Sequence, residues 1–185
     1  MSPPAGDPDP VRLRTQSADD TRALGAALAK RLRPGDVVLL AGDLGAGKTT
    51  LAQGIGSGLG VSDHVTSPTF TLVRSYPCVS SPETVDGPRR PDTPAVRTFL
   101  HADLYRLEHL GEVVDLAIAE LVEDDAVAVV EWGDVAEPVL GADAITIRLS
   151  EGPRDEQRCL TINVTGSSSP RRDELSGALS AWATP

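Results

Sequence analysis

The stretch GDLGAGKT, residues 42–49, constrains the fold more than any other part of the chain. It matches the P-loop (Walker A) pattern GxxxxGK followed by Ser or Thr, directly after the apolar run of residues 37–40 and directly before a helical pattern. Glycines let several backbone N–H groups point into one concavity, and the N-terminus of the following helix adds the positive end of its dipole. The combination predicts a phosphate site, and the alternative is a glycine-rich turn with a surface lysine.

Side chains at the end of this loop complete the predicted site. Lys48 reaches the outer phosphates of a bound nucleotide, and the Thr49 hydroxyl is a ligand for magnesium. The predicted nucleotide-binding residues of the loop and the first helical turn are Gly42, Asp43, Leu44, Gly45, Ala46, Gly47, Lys48, Thr49 and Thr50. A GTP-specific switch is disfavoured because the sequence contains no Asn-Lys-x-Asp stretch to read guanine.

Hydrolysis of a bound nucleotide needs acids at the carboxyl ends of neighbouring strands, because a phosphate-binding loop alone only binds. Glu131 ends the apolar run of residues 126–130, where a carboxylate contacts the metal or its water. Asp103 ends the run TFLHAD in the same way and is a candidate for orienting water or metal. The alternatives are a solvent-facing carboxylate for Glu131 and a helix cap for Asp103.

Three further candidates lie near these acids. Thr69, in the stretch SPTF, follows the loop helix and is placed to sense a terminal phosphate, and an ordinary turn is the equally weighted alternative. His101 and Tyr105 flank Asp103 at two-residue spacing, which puts all three on one side of an extended segment. Because no second cluster of metal ligands accompanies His101, we predict no zinc site.

Helical and strand patterns alternate along the chain, which predicts an α/β fold with a mainly parallel sheet flanked by helices and an antiparallel C-terminal hairpin. The predicted helices begin at Ser17, at Lys48, near Val113 and near Pro170. Strand patterns occupy residues 37–40, 65–76, 96–103, 126–132, 144–150 and 157–165. The last two alternate apolar and polar residues, so we expect a hairpin at a sheet edge.

Composition limits the domain count and excludes several protein classes. The 185 residues fit one domain at 15–165, with a flexible tail at 1–14, a mobile Pro-rich loop at 77–95 and a C-terminal tail with a possible short helix at 166–185. The net charge of −10, without a basic stripe, argues against direct nucleic-acid binding. Two cysteines without paired spacing, and no apolar stretch near ~20 residues, favour a cytoplasmic protein that does not cross a membrane.

Four motifs, in this order and at these distances, resemble the bacterial TsaE (YjeE) family of small ATPases. They are GDLGAGKTT at 42–50, SPTFTLV at 67–73, HADLYRL at 101–107 and VEWGD at 130–134. The first motif is shared by many nucleotide-binding proteins, whereas the other three in series are highly specific. The likeness covers about residues 15–165.

This resemblance implies a P-loop ATPase fold and a role in making threonylcarbamoyladenosine, the modified adenosine beside the anticodon of tRNAs that read codons starting with A. In such systems TsaD, paired with its relative TsaB, performs the transfer to tRNA. The TsaE-like protein binds that pair and hydrolyses ATP so that it turns over repeatedly, so its contact with tRNA is indirect. By this likeness Lys48 contacts the phosphates, and Thr49 and Glu131 bind Mg²⁺. Asp103 supports hydrolysis, and Trp132 lies close to the nucleotide.

Some features of the chain leave alternatives open. Residues 17–21 resemble the segment that contacts the adenine side of the nucleotide in this family, although no motif defines that segment. The stretch at 77–95 is longer than is usual in the family and the helix from about Pro170 is extra, which leaves the shape of the partner-facing surface open. There are two rival functions: a small-molecule P-loop kinase, and a nucleotide-gated adaptor without productive hydrolysis. A kinase would need an arginine-rich lid, and the one central arginine pair, Arg89–Arg90, suits a linker better.

Overall fold

The computed structural model of the chain describes residues 9–68, 71–79, 95–107, 110–122 and 125–184. The strands are β1 (Val11–Thr15), β2 (Val37–Ala41), β3 (Val73–Pro77), β4 (Thr98–Asp103), β5 (Ala126–Glu131), β6 (Ala144–Glu151) and β7 (Arg158–Val164). The helices are α1 (Ala18–Ala29), α2 (Lys48–Gly58), α3 (Leu110–Asp115), α4 (Ile118–Leu121), α5 (Gly133–Leu140) and α6 (Arg172–Ala178). All seven strands form one sheet in the order β1-β7-β6-β2-β5-β4-β3.

The centre of this sheet is parallel, as the sequence predicts, and both flanks are antiparallel. Strands β4, β5, β2 and β6 run side by side in the same direction. On one flank β6 and β7 form the predicted antiparallel hairpin, and on the other flank β3 pairs antiparallel with β4. The carboxyl ends of the central strands therefore meet at one edge of the sheet, where the loop after β2 also lies.

The prediction that the hairpin lies at a sheet edge is wrong, because β1 pairs antiparallel with β7 and covers it. Residues 11–14, expected in a flexible tail, form most of that strand. Their apolar members Val11 and Leu13 are buried and alternate with exposed arginines. This alternation is the strand signal that the Pro-rich sequence before it obscures.

Helices cover both faces of the sheet and divide the core into two layers. In β2, Val38 and Leu40 face the layer beneath α1, α2 and α6. Val37 and Leu39 face the opposite layer, beneath α3, α4 and α5. A strand that buries both faces in this way must be apolar at every position, which is why residues 37–40 form a continuous apolar run.

Helices α1 and α2 pack with their backbones in close approach. A Cβ atom added to Gly25 of α1 would lie 2.6 Å from the Leu51 carbonyl oxygen. A Cβ atom added to Gly54 of α2 would lie 2.3 Å from the Arg22 carbonyl oxygen. Gly54, which costs about 1 kcal/mol relative to alanine in an isolated helix, is therefore needed for this contact, and the contact fixes α2 beside the phosphate-binding loop.

We expect Gly54→Ala to destabilise the fold by about 1–3 kcal/mol, because the added methyl group meets backbone atoms that cannot move aside independently. Gly177→Ala in α6 is the matched control, since nothing lies within 4 Å of its added Cβ. Replacing a helical glycine by alanine at such a site stabilises by about 0.4–1 kcal/mol. Urea denaturation measures both changes, and a loss of stability of equal size in the two variants would contradict the close packing of α1 and α2.

Two predicted elements are shorter or interrupted. The strand expected over 65–76 begins only at Val73, because the amides of Thr71 and Leu72 both donate to the Pro68 carbonyl in a turn. The helix expected around 113–121 is broken at Ala117, which has φ 47°.

The break at Ala117 lets α3 and α4 present different residues to one core layer. Val113 and Ile118 are both buried there, although five residues on a continuous helix would turn them about 140° apart. Leu121, expected on the apolar face, is instead half-exposed. Of the predicted mobile loop at 77–95, residues 80–94 lie outside the described residues.

The C-terminal segment docks on the core. Leu175 and Leu179 are buried in the layer that also holds α1 and α2. Trp182 donates its indole N–H to Asp20 at 2.7 Å. Pro170 lies in the 3₁₀ turn before α6 and not in the first turn of that helix. None of the helices that the structure describes is long and apolar enough to cross a membrane.

Candidate active site

The phosphate-binding loop connects β2 to α2, in the strand-loop-helix context that its sequence predicts. Gly42, Gly45 and Gly47 all have positive φ, between 84° and 142°, which L side chains rarely adopt. A Cβ atom on Gly42 would lie 2.3 Å from the Leu149 carbonyl oxygen, so the loop sits directly against β6. Backbone in such conformations can turn N–H groups into a concavity, and the N-terminus of a helix adds to its affinity for anions.

Lys48, the first residue of α2, is folded back over this loop. Its ammonium group donates to the carbonyls of Gly42 and Asp43 at 2.6 and 2.8 Å. The same nitrogen lies 3.9 Å from the centroid of the Trp132 ring, in a cation–π contact. The positive charge therefore lies within the loop, held by neutral acceptors that a phosphate group can replace.

The surroundings of Lys48 are acidic. Burial lowers the pKa of Lys48, and the nearby carboxylates of Glu131 and Asp103, followed by Asp134 and Asp43, partly oppose that change in its pKa. One ammonium group thus shares the site with several negative charges. A polyphosphate that binds here needs further positive charge, which a divalent cation supplies.

The two predicted strand-end acids lie side by side. Asp103 ends β4 and Glu131 ends β5, and the two residues are directly paired in the parallel register. Thr49 donates its hydroxyl to Glu131 Oε2 at 2.9 Å, which joins the loop to the end of β5. Glu131 is only 3% exposed, so the solvent-facing alternative does not hold.

His101 holds the other oxygen of Glu131. Its Nε2 lies 2.8 Å from Glu131 Oε1, and the imidazole is fully buried. The imidazole nitrogen and the carboxylate oxygen are thus joined by one hydrogen bond. Both oxygens of Glu131 are therefore engaged, one by the histidine and one by Thr49, and the carboxylate has a fixed orientation.

Asp103 is held by the two stretches that flank it in space. Ser67 donates its hydroxyl to Asp103 Oδ2, and the Tyr105 amide donates to Oδ1 at 3.0 Å. The carboxylate thus closes a turn at the end of β4, and the residues that follow directly, 104–107, are not helical. His101 and Asp103 share a strand as predicted, whereas Tyr105 lies beyond it with a half-exposed ring. That ring packs 5.0 Å from the ring of Trp132, centroid to centroid.

Two clefts flank the phosphate-binding loop. One, of about 470 Å³, is lined by the loop together with Ser67, Asp103, Glu131 and Trp132. The other, of about 450 Å³, lies on the opposite side of the loop and is lined in part by residues 17–19 and by Thr21. Both clefts include Gly45, Gly47 and Thr50, so the loop forms a wall common to the two. Thr69 lies outside the described residues.

Sequence reasoning misses four groups at this site. Ser67 and Tyr105 lie in the motifs SPTFTLV and HADLYRL. The roles predicted for those motifs are assigned to Thr69 and Asp103 instead. The sequence assigns His101 no function, since its pairing with Glu131 depends on β4 lying next to β5. Arg158, which contacts the loop from β7, has no local pattern that marks it.

Residues 15–160 match the family model described as threonylcarbamoyl adenosine biosynthesis protein TsaE. The chain belongs to the TsaE family. The resemblance based on four motifs is thereby confirmed, and it places the chain in a family of tRNA threonylcarbamoyladenosine biosynthesis proteins.

Individual relatives agree with this assignment. A protein of Streptomyces coelicolor named tRNA threonylcarbamoyladenosine biosynthesis protein TsaE is 42% identical over 149 residues, which cover 78% of this chain and 90% of the relative. A Bacillus subtilis protein of the same name is 34% identical over 157 residues, with 85% and 87% covered. The crystal structure of Bacillus subtilis YdiB aligns with a TM-score of 0.66 at 28% identity, covering 93% of this chain and 95% of that one.

Proposed function

We propose that this chain is the ATPase of the bacterial tRNA threonylcarbamoyladenosine system. It binds and hydrolyses ATP with Mg²⁺ in the cytoplasm and drives turnover of the TsaB–TsaD pair. The observation that carries the proposal is the meeting of Thr49, from the phosphate-binding loop, with Glu131 at 2.9 Å, beside the paired strand-end acid Asp103. Family membership supports the choice of pathway.

The residues at this point fit a magnesium ion bound together with nucleotide phosphates. Magnesium prefers oxygen ligands and is commonly held by one or two carboxylates plus substrate phosphates. Thr49, Glu131 and Asp103 offer that set of oxygens. The described part of the chain contains no group of three or more His, Cys, Asp or Glu side chains that could hold a metal ion by themselves, so the nucleotide phosphates would supply the remaining ligands. When bound, the ion neutralises phosphate charge and stabilises the charge that develops in phosphoryl transfer.

Each protein group has a distinct part in the proposed reaction. The loop N–H groups bind the phosphates, and Lys48 exchanges its two carbonyl acceptors for phosphate oxygens. His101 keeps Glu131 oriented toward Thr49. Asp103, held by Ser67 and by the Tyr105 amide, orients the attacking water and accepts its proton.

Contact with tRNA runs through partner proteins in this proposal. Binding a phosphate backbone requires many basic side chains, and this chain has 17 Lys and Arg against 27 Asp and Glu. Tight binding of tRNA by the isolated chain, measured by filter binding at about physiological salt, would contradict the partner-mediated role.

We expect ATP with Mg²⁺ to strengthen association with the TsaB–TsaD pair relative to ADP. Ser67 belongs to the SPTF stretch and is bonded to Asp103, so a change at the terminal phosphate reaches that stretch through one hydrogen bond. Light scattering or pull-down of the purified proteins measures the difference, with the nucleotide-free chain as the control. Equal affinity in the ATP and ADP states would rule out an ATP-gated contact.

A further inference from the structure

Arg158, the first residue of β7, ties the phosphate-binding loop to the turn between β6 and β7. Its Nε donates to the Ala46 carbonyl at 3.1 Å, and its Nη2 donates to the Gly45 carbonyl at 3.2 Å. Its Nη1 donates to the carbonyls of Asp155 and Gln157, each at 2.7 Å. One planar guanidinium group therefore connects two backbone segments that are far apart in the sequence.

These contacts fix peptide planes inside the loop. In a trans peptide the C=O and the following N–H point to opposite sides of the chain. Holding the Ala46 carbonyl from outside therefore turns the Gly47 N–H toward the concave side, where phosphates bind. Arg158 holds the Gly45 carbonyl in the same way. The Ala46 N–H, which belongs to the same peptide group as that carbonyl, donates to the Asp43 carbonyl at 3.1 Å and closes the turn.

The loop needs such a restraint because glycine gives it conformational freedom. Gly45 has φ 84° and nothing within 4 Å of the place where a Cβ would lie, so packing does not hold it. At Gly47, with φ 100°, the nearest atoms to an added Cβ belong to Arg158 itself, at 3.8 and 3.9 Å. Ordering a flexible loop on binding lowers affinity, and ordering it beforehand removes that penalty.

We propose that Arg158 is a positioning residue for nucleotide binding, which holds the loop in its phosphate-receiving conformation through the carbonyls of Gly45 and Ala46. This inference rests on the proposed function, because it concerns the affinity of the same loop. It assigns Arg158 no contact with the terminal phosphate. Its effect is therefore the same for ATP and ADP, since both carry the phosphate that the loop encloses.

Two variants separate the hydrogen bonds of Arg158 from its charge. Arg158→Met keeps most of the aliphatic stem and removes all donors. Arg158→Lys keeps the charge, but one ammonium group lacks the planar fork that spans two adjacent carbonyls. Arg154→Met is the matched control, because Arg154 is an exposed arginine of the same turn and its loss changes the net charge equally.

Isothermal titration gives the Kd for ATP and for ADP, and thermal unfolding gives the Tm of each variant. We expect Arg158→Met to weaken both nucleotides by the same factor, roughly 10-fold, with a Tm close to that of the wild type. Arg158→Lys recovers part of this loss, and Arg154→Met binds like the wild type. A merely structural role would lower the Tm without this equal change in the two Kd values.

Several results would overturn the inference. Unchanged Kd values in Arg158→Met, or a loss for ATP alone, would contradict a role in positioning the loop. If Arg158→Met does not fold, wild-type affinity in the folded Arg158→Lys variant would contradict it. A wild-type chain that binds no adenine nucleotide would overturn the proposed function and the inference together, whereas normal wild-type binding with an unaffected Arg158→Met overturns the inference alone.

Discussion

Lys48→Ala is expected to abolish tight ATP binding while the chain stays folded. The ammonium group is the positive charge of the loop. Without it, no positive side chain of the loop offsets the repulsion between bound phosphates and the carboxylates of Glu131, Asp103, Asp134 and Asp43. We expect the Kd for ATP to rise by about 100-fold or more, since charge-assisted bonds to phosphate are among the strongest single contacts. Isothermal titration measures this change.

The fold should survive this substitution because the partners of Lys48 lie within the site. Among the described residues, its ammonium group hydrogen-bonds to loop carbonyls and packs on Trp132. Burial lowers the pKa of Lys48, so the folded chain holds the charged form at some expense. Lys30→Ala is the matched control, since Lys30 is the other lysine of the sequence and is exposed at the end of α1. Unchanged ATP affinity in folded Lys48→Ala would overturn the phosphate site.

Replacing either strand-end acid should separate binding from hydrolysis. Glu131→Ala and Asp103→Ala leave the loop N–H groups and Lys48 in place, so we expect a substantial share of ATP binding to remain. Turnover should fall by about 100-fold or more, because the groups that orient metal and water are lost. Steady-state phosphate release, measured beside nucleotide titration, distinguishes the two effects.

Isosteric variants and a remote acid sharpen this second test. Glu131→Gln and Asp103→Asn keep the side-chain shape and remove the charge, so a loss of turnover in them reflects chemistry and not a cavity. Glu137→Gln is the matched control, because Glu137 is a half-exposed acid of α5 that pairs with Arg148. Wild-type hydrolysis by the variant of either strand-end acid would refute the catalytic role of that residue.

Features with a local physical signature could be predicted from the sequence. The continuous apolar run at 37–40 predicted a strand buried on both faces, and the capping pattern at Ser17 predicted the start of α1. Ser17 indeed accepts from the Asp20 amide, and Asp20 accepts in return from the Gln16 amide. Contacts of this kind involve neighbours in the chain, so the sequence contains all that determines them.

Features that depend on strand order could not be predicted in the same way. The spacing of His101 and Asp103 placed them on one face of β4, but the bond from His101 to Glu131 exists only because β4 lies next to β5. Arg158 reaches the loop because the β6–β7 hairpin lies beside β2. The strand at 11–15 is a mixed case, because its alternation of apolar residues and arginines is a local signal whereas its place at the sheet edge depends on pairing with β7.

Phosphate release with and without the purified TsaB–TsaD pair tests the central claim most directly. We expect slow release by the chain alone, faster release when the pair is added, and release near background for Lys48→Ala in both conditions. A small-molecule kinase would instead transfer the terminal phosphate to an acceptor, and a nucleotide-gated adaptor would bind the pair without releasing phosphate. Release at the same rate with and without the pair, or at the wild-type rate in Lys48→Ala, would contradict the proposal.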